Sequence, residues 1–173
     1  MKITLILFTL IMTNTPLYQF NSKSITDWKI VDDRVMGGQS NGNFKVNDEG
    51  NGVFYGDVST ENNGGFSSVR MGLNSSDISN NKAFILKVKG DGKSYQFRVK
   101  TSLDERHSYI RSFETNGKWQ EIKIPFKEMF ASWRGRTLDM PNYNGSAIEE
   151  MRFLIGNKKN EAFKLELDWI KVN

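Results

Sequence analysis

Apolar and polar residues alternate with a period of two through much of the chain. The clearest run is near the carboxy terminus, where Phe163, Leu165, Leu167 and Trp169 alternate with Lys164, Glu166 and Asp168. Successive side chains of a strand point to opposite faces, so this pattern predicts a strand that buries all four apolar residues. Burial contributes about 1.5–3 kcal/mol for each. Phe84, Leu86 and Val88 share one face of another strand, with Ile85, Lys87 and Lys89 on the other. After Gly90-Asp91-Gly92-Lys93 the alternation resumes, with Tyr95, Phe97 and Val99 inward and Gln96, Arg98 and Lys100 outward. A compact turn between two such runs predicts a hairpin. The hairpin places Lys87, Lys89, Arg98 and Lys100 side by side on one face. That face reads either as solvated surface or as a surface for an acidic or phosphate-rich partner.

Shorter apolar runs at residues 17–20, 28–31, 40–46, 53–58, 66–71, 109–113, 119–124 and 151–155 predict further strands. Asn47-Asp48-Glu49-Gly50-Asn51-Gly52 and Asn116-Gly117 are hairpin signals between them. Trp119 alternates into its strand as a core residue. Pro125 stops that strand, and Phe126, Met129 and Phe130 at helical spacing predict one short helical turn near residues 126–130. Residues 131–146 are irregular. The chain therefore reads as all-β, a jelly-roll β-sandwich of about ten strands, which buries one face of each sheet.

Composition narrows the chemistry. The 173 residues contain no cysteine, which excludes disulfides and thiol chemistry, and the single histidine, His107, leaves little for a metal site or a catalytic triad. The net charge of +4 is too small and too dispersed for a nucleic-acid surface. Lys2 followed by an apolar run at residues 3–12 reads as a signal peptide over residues 1–14, or as a mis-called leader ahead of a start at Met12. The first reading implies export to the periplasm or beyond the cell; the second implies a cytoplasmic protein. The run is too short to cross a bilayer, so no integral span is expected in the mature chain, a single domain over residues 15–173.

The most heavily loaded turn follows Trp28: Asp32-Asp33-Arg34-Val35-Met36-Gly37-Gly38-Gln39-Ser40. Asp32, Asp33, Arg34, Gly37, Gly38 and Ser40 form either a binding loop or a corner. In the corner, the carboxylates accept backbone N–H groups and Arg34 pairs with one of them. Asn63, Gly64 and Gly65, like Gly90, Asp91 and Gly92, bring backbone close to a ligand or simply turn the chain. Trp133, Arg134, Arg136 and Tyr143 lie in the irregular segment, where an aromatic face suits a sugar ring. No catalytic residues, metal ligands or cofactor are expected.

An ordered set of motifs resembles a known family. After Trp28 it comprises Asp33-Arg34-Val35-Met36-Gly37-Gly38-Gln39-Ser40, Phe54-Tyr55-Gly56-Asp57-Val58-Ser59 and Glu61-Asn62-Asn63-Gly64-Gly65-Phe66. Gly90-Asp91-Gly92-Lys93 with Tyr95, Trp119-Gln120, Ile124-Pro125-Phe126, Arg134-Gly135-Arg136 and residues 163–170 complete it. The set resembles the complex I intermediate-associated protein 30 family, whose domain is similar to galactose-binding jelly rolls. The resemblance implies a non-catalytic binding domain that acts by protein–protein interaction in assembling the NADH:ubiquinone oxidoreductase. Its partners would then be respiratory-complex subunits. The alternative is an extracytoplasmic carbohydrate-binding module, with a glycan as partner.

Overall fold

The computed structural model describes residues 16–173. The predicted leader lies outside the described residues. Two antiparallel sheets pack face to face. The first holds β3 (Asn41–Val46), β4 (Gly52–Val58), β13 (Glu161–Val172), β6 (Ala83–Gly90) and β9 (Trp119–Pro125) in that order. A two-residue strand, β1 (Tyr18–Gln19), pairs with the far half of β13. The second sheet runs β11 (Arg136–Thr137), β10 (Phe130–Trp133), β8 (Ser108–Glu114), β7 (Ser94–Lys100), β12 (Ile148–Ile155), β5 (Ser67–Ser76) and β2 (Lys29–Asp32). One turn of helix, α1 (Ser24–Asp27), links β1 to β2. The all-β jelly-roll expectation holds.

The core is a continuous sheet of rings and branched side chains between the two layers. Phe84 on β6 meets Phe97 on β7 at 5.1 Å between ring centroids, and Phe126 at 4.8 Å. Trp28 stacks on Phe20 at 5.2 Å and touches Phe153 from the second sheet at 5.8 Å. Rings in this range add about 0.5–1.5 kcal/mol per pair beyond their buried area.

Four expectations are corrected. First, β6 and β7 do not form a hairpin. β6 pairs with β13 and β9, whereas β7 pairs with β12 and β8. Gly90-Asp91-Gly92-Lys93 carries the chain across from one sheet to the other. Period two dictates which residues face the core, not whether the next strand lies beside the first or opposite it. Asn116-Gly117 is likewise a crossover, because β8 and β9 belong to different sheets. Lys87 and Lys89 therefore lie on the outside of one sheet, Arg98 and Lys100 on the outside of the other.

Second, the alternation in β13 breaks. A bulge between Leu167 and Trp169 shifts the register against β6, so Phe163, Leu165 and Leu167 point inward and then Ile170 takes the place of Trp169. An extra residue in one strand reverses the facing of everything after it. Third, Trp119 is not a core residue. It stands opposite Lys89 at the start of edge strand β9, on the outer face. Fourth, the helical turn is a single 3-10 turn, Phe126–Glu128, and Phe130 already belongs to β10.

Candidate functional site

β2 and β3 are edge strands of different sheets, and the loaded turn connects them. Asp33 opens a 3-10 turn, Asp33–Met36, which ends at Gly37 with φ +89°. A non-glycine side chain is strained there, and Gly37 has open space around it, so backbone conformation alone selects the glycine. Gly38 is different. A Cβ at Gly38 would fall 2.3 Å from Cγ of Asp33, so the close approach of the buried carboxylate selects it.

Asp33 is completely buried. Its Oδ1 accepts the backbone N–H of Ser40 at 3.0 Å. Its Oδ2 accepts the Ser40 hydroxyl at 2.5 Å, the Gly65 N–H at 2.6 Å and the Phe66 N–H at 3.2 Å. Burial pushes the carboxyl pKa up, and these four donors more than offset it, so the net shift is downward. The Ser40 hydroxyl in turn accepts the Ser59 N–H at 3.0 Å. Asp32 makes a second stitch. Its Oδ1 accepts the Ser67 hydroxyl at 2.6 Å on β5, and its Oδ2 accepts the Gly42 N–H at 2.9 Å on β3. Two adjacent carboxylates thus join the edges of the two sheets where no backbone ladder can.

Arg34 does not pair with either aspartate. Its Nε donates to the Ser40 carbonyl at 3.1 Å and its guanidinium reaches Asn41 Oδ1 at 3.5 Å. The exposed part of the turn is apolar: Val35 is 73% and Met36 59% exposed.

The turn thus brings together Asp32, Asp33, Gly37, Gly38, Ser40, Gly64 and Gly65, with Arg34 outside and Asn63, at φ +60°, entering the knot. A second carboxylate clamp sits elsewhere. Asp91, at the crossover between β6 and β7, accepts the Tyr95 hydroxyl at 2.8 Å, the Lys93 ammonium at 2.6 Å and the Lys164 N–H at 3.0 Å. Partial burial raises its pKa, and these donors reverse the shift to a net lowering. Gly90 leaves room for Thr115, which a Cβ would meet at 2.4 Å, and Gly92 turns at φ +84°.

Trp133 is 37% exposed, with the Arg134 guanidinium 5.2 Å and the Arg106 guanidinium 6.0 Å from its ring. Arg136 stands opposite it on β11. Tyr143 is not available as a stacking platform. It is buried, with its ring 5.0 Å from Phe126 and its hydroxyl donating to the Ala147 carbonyl at 2.9 Å. Burial pushes that phenol pKa up, well beyond its ordinary value.

Sequence reasoning missed the serines that complete the knot, Ser59 and Ser67, and the polar residues of β12. The signal for β12 was present: Glu150 and Arg152 stand at alternate positions within a run that otherwise looks buried. Among the described residues no cluster of three or more acidic, histidine or cysteine side chains could hold a metal ion, and no helix is long and apolar enough to cross a membrane.

Residues 18–167 match the family model described as complex I intermediate-associated protein 30. A mouse protein named complex I intermediate-associated protein 30, mitochondrial, is 26% identical over 180 residues, covering 90% of this chain and 55% of the relative. A Caenorhabditis elegans relative carrying the same family name is 29% identical over 179 residues, covering 90% of this chain and 53% of the relative. The chain spans about half the length of these curated relatives. In fold it is similar to the family 11 carbohydrate-binding module of a Clostridium thermocellum cellulosomal cellulase, with TM-score 0.66, 17% identity, and 90% and 92% of the two chains covered. The Clostridium thermocellum family 11 module in complex with a mixed-linked tetrasaccharide gives TM-score 0.64 at 18% identity, covering 84% and 88%. The match over nearly all of the described fold, knot included, means that this chain belongs to the complex I intermediate-associated protein 30 family.

Proposed function

We propose that the domain is a non-catalytic binding unit that acts by protein–protein contact in the assembly of a respiratory complex, with subunits of that complex as partners. Family membership and the relatives' name support the assembly role. The observation that carries the contact is the locked turn. Asp32 and Asp33 spend their oxygens on the fold, which supports a structural rather than a catalytic use of them. What the turn offers to water is the adjacent pair Val35 and Met36. Apolar side chains carried on a backbone that the buried carboxylate already holds lower the cost of ordering that loop when another protein binds. The test replaces both by serine and recovers partners from cells that make the protein natively. Loss of the partner at an unchanged melting temperature supports the reading, and recovery of the same partners by the variant overturns it.

The second reading is a carbohydrate-binding module. It draws on the fold shared with modules that bind glycans and on the exposed indole of Trp133, flanked by two guanidinium groups. A glycan array without binding at millimolar ligand removes it. Location separates the two readings further, since the relatives are named mitochondrial and a secretory leader would imply export. Amino-terminal sequencing of the native protein distinguishes cleavage near Asn14, a start at Met12 and an intact leader.

A further inference from the structure

We propose that the outer face of the seven-stranded sheet is a docking face for carboxylates of an acidic segment of a protein partner, with Arg98 and Arg152 as its centre. This deepens the protein-binding reading and rests on it.

The register lines up cations across four adjacent strands. Lys29 on β2 stands opposite Arg70 on β5, Arg70 opposite Arg152 on β12, and Arg152 opposite Arg98 on β7. Strands lie about 4.8 Å apart, so the row spans about 15 Å. Like charges directly opposite one another destabilise a sheet, so such a row needs anions. The carboxylate that meets the row is Glu150, two residues from Arg152 and 3% exposed, while its neighbour Glu149 accepts the Leu103 N–H. Glu150 accepts Arg70 at 3.3 Å and Arg152 at 2.9 and 3.2 Å. The internal carboxylate therefore serves two guanidinium groups, and the third has none.

Arg98 has no salt-bridge partner among the described residues. Its Nε and one Nη donate to the neutral Gln96 amide oxygen at 3.0 and 2.6 Å, which fixes the plane of the fork. Burial and then the Arg152 charge lower its pKa to about 10, so the group remains protonated at neutral pH in a site that disfavours its charge. An added carboxylate offsets the repulsion from Arg152. Lys100, opposite Glu150, is already committed to the Glu105 carbonyl.

The outer face of the other sheet shows the contrast. Lys89 and Lys164 both meet Glu166, at 3.8 and 2.8 Å, and Lys87 meets Glu121 at 3.9 Å. Three of that face's ammonium groups thus have a carboxylate of their own sheet within reach. On the arginine face Leu154, two residues from Arg152, points outward and is buried. Glu150 shows the chemistry that fits, because a carboxylate already bridges two members of the row, and planar guanidinium groups match carboxylates two bonds at a time.

The test measures binding of a fluorescein-labelled oligoglutamate peptide to the purified protein by anisotropy. Inorganic phosphate and an oligogalacturonate serve as competitors. Saturable binding that weakens steeply with salt is expected. Arg98→Gln should reduce the affinity about tenfold, and Arg98→Lys, which keeps the charge and loses the fork, by less. Lys87→Gln with Lys89→Gln on the opposite sheet should leave it within about twofold. Absence of binding up to about millimolar peptide overturns the proposal, as does equal binding by a folded Arg98→Gln protein. Displacement by oligogalacturonate well below the peptide's own Kd overturns the choice of a protein segment, and displacement by phosphate at similarly low concentration does the same. The assay needs no native partner. It can fail while the pull-down with Val35 and Met36 variants succeeds, and the reverse also holds.

Discussion

Asp33 and Ser40 are bonded twice, once through the Ser40 backbone N–H at 3.0 Å and once through its hydroxyl at 2.5 Å. The two residues are seven apart and belong to segments entering different sheets. Replacing Asp33 by alanine leaves the N–H groups of Ser40, Gly65 and Phe66 without their acceptor, the first in a buried site and the other two in partly buried ones. Each such orphan costs about 1–3 kcal/mol, so Asp33→Ala should destabilise the domain by about 3–5 kcal/mol. Ser40→Ala removes one of the four donors and the acceptor for Ser59, and should cost about half as much. Urea unfolding followed by tryptophan fluorescence reads both.

The same carboxylate makes stability depend on pH in a defined direction. Its pKa is lower in the folded state than in the unfolded chain, where an aspartate titrates near about 3.9. The stabilisation is therefore complete above about pH 4 and is lost as the pH falls through the lower folded value. Asp91 is shifted the same way and adds to the slope. Asp33→Asn should be markedly less stable than the parent at neutral pH, and the gap should narrow as the pH is lowered towards about 2. A gap that stays constant across that range would show that the hydrogen bonds to Asp33 are insensitive to its charge.

Gly37 and Gly38 are neighbours held for different reasons, and their variants should separate. Alanine at Gly37 meets no atom but must adopt φ +89°, which costs about 1 kcal/mol. Asparagine, which tolerates that region, should cost less. Alanine at Gly38 drives its Cβ to 2.3 Å from the Asp33 carboxyl carbon and must open the knot. Its cost should approach that of Asp33→Ala, and the Gly38→Ala and Asp33→Ala effects should not add. Denaturation of the two single variants and the double variant measures this directly.

Much of the fold was legible because period two is a local property. Inward residues of β6 and β7 follow from the alternation, and so does the all-β class. Sheet membership did not follow, because Phe84 and Phe97 satisfy the same pattern whether their strands are neighbours or face each other across the core, as they do at 5.1 Å. The loaded turn was legible as a corner from its paired carboxylates and glycines. The partners of those carboxylates were not, since Gly65 lies 32 residues and Ser67 35 residues along the chain from Asp33 and Asp32. The arginine row escaped notice for the same reason: Arg70, Arg98 and Arg152 meet only through the strand order of the finished sheet.

The bulge in β13 supplies the sharpest contrast between alternation and structure. Strict alternation puts Trp169 in the core and Ile170 in water; the observed register does the opposite, with Ile170 buried against the core and Trp169 half-buried beneath the Lys171 ammonium at 4.1 Å. Ile170→Ala should therefore cost about 2–5 kcal/mol, the range for a large aliphatic side chain truncated inside a packed core. Trp169→Ala, although it removes far more atoms, should cost about 1 kcal/mol, since it loses partial cover and one cation–π contact. The order of the two costs is the decisive reading in urea unfolding. A larger loss at Trp169 than at Ile170 would mean that the strand runs without the bulge and that Trp169, not Ile170, fills the space between the sheets.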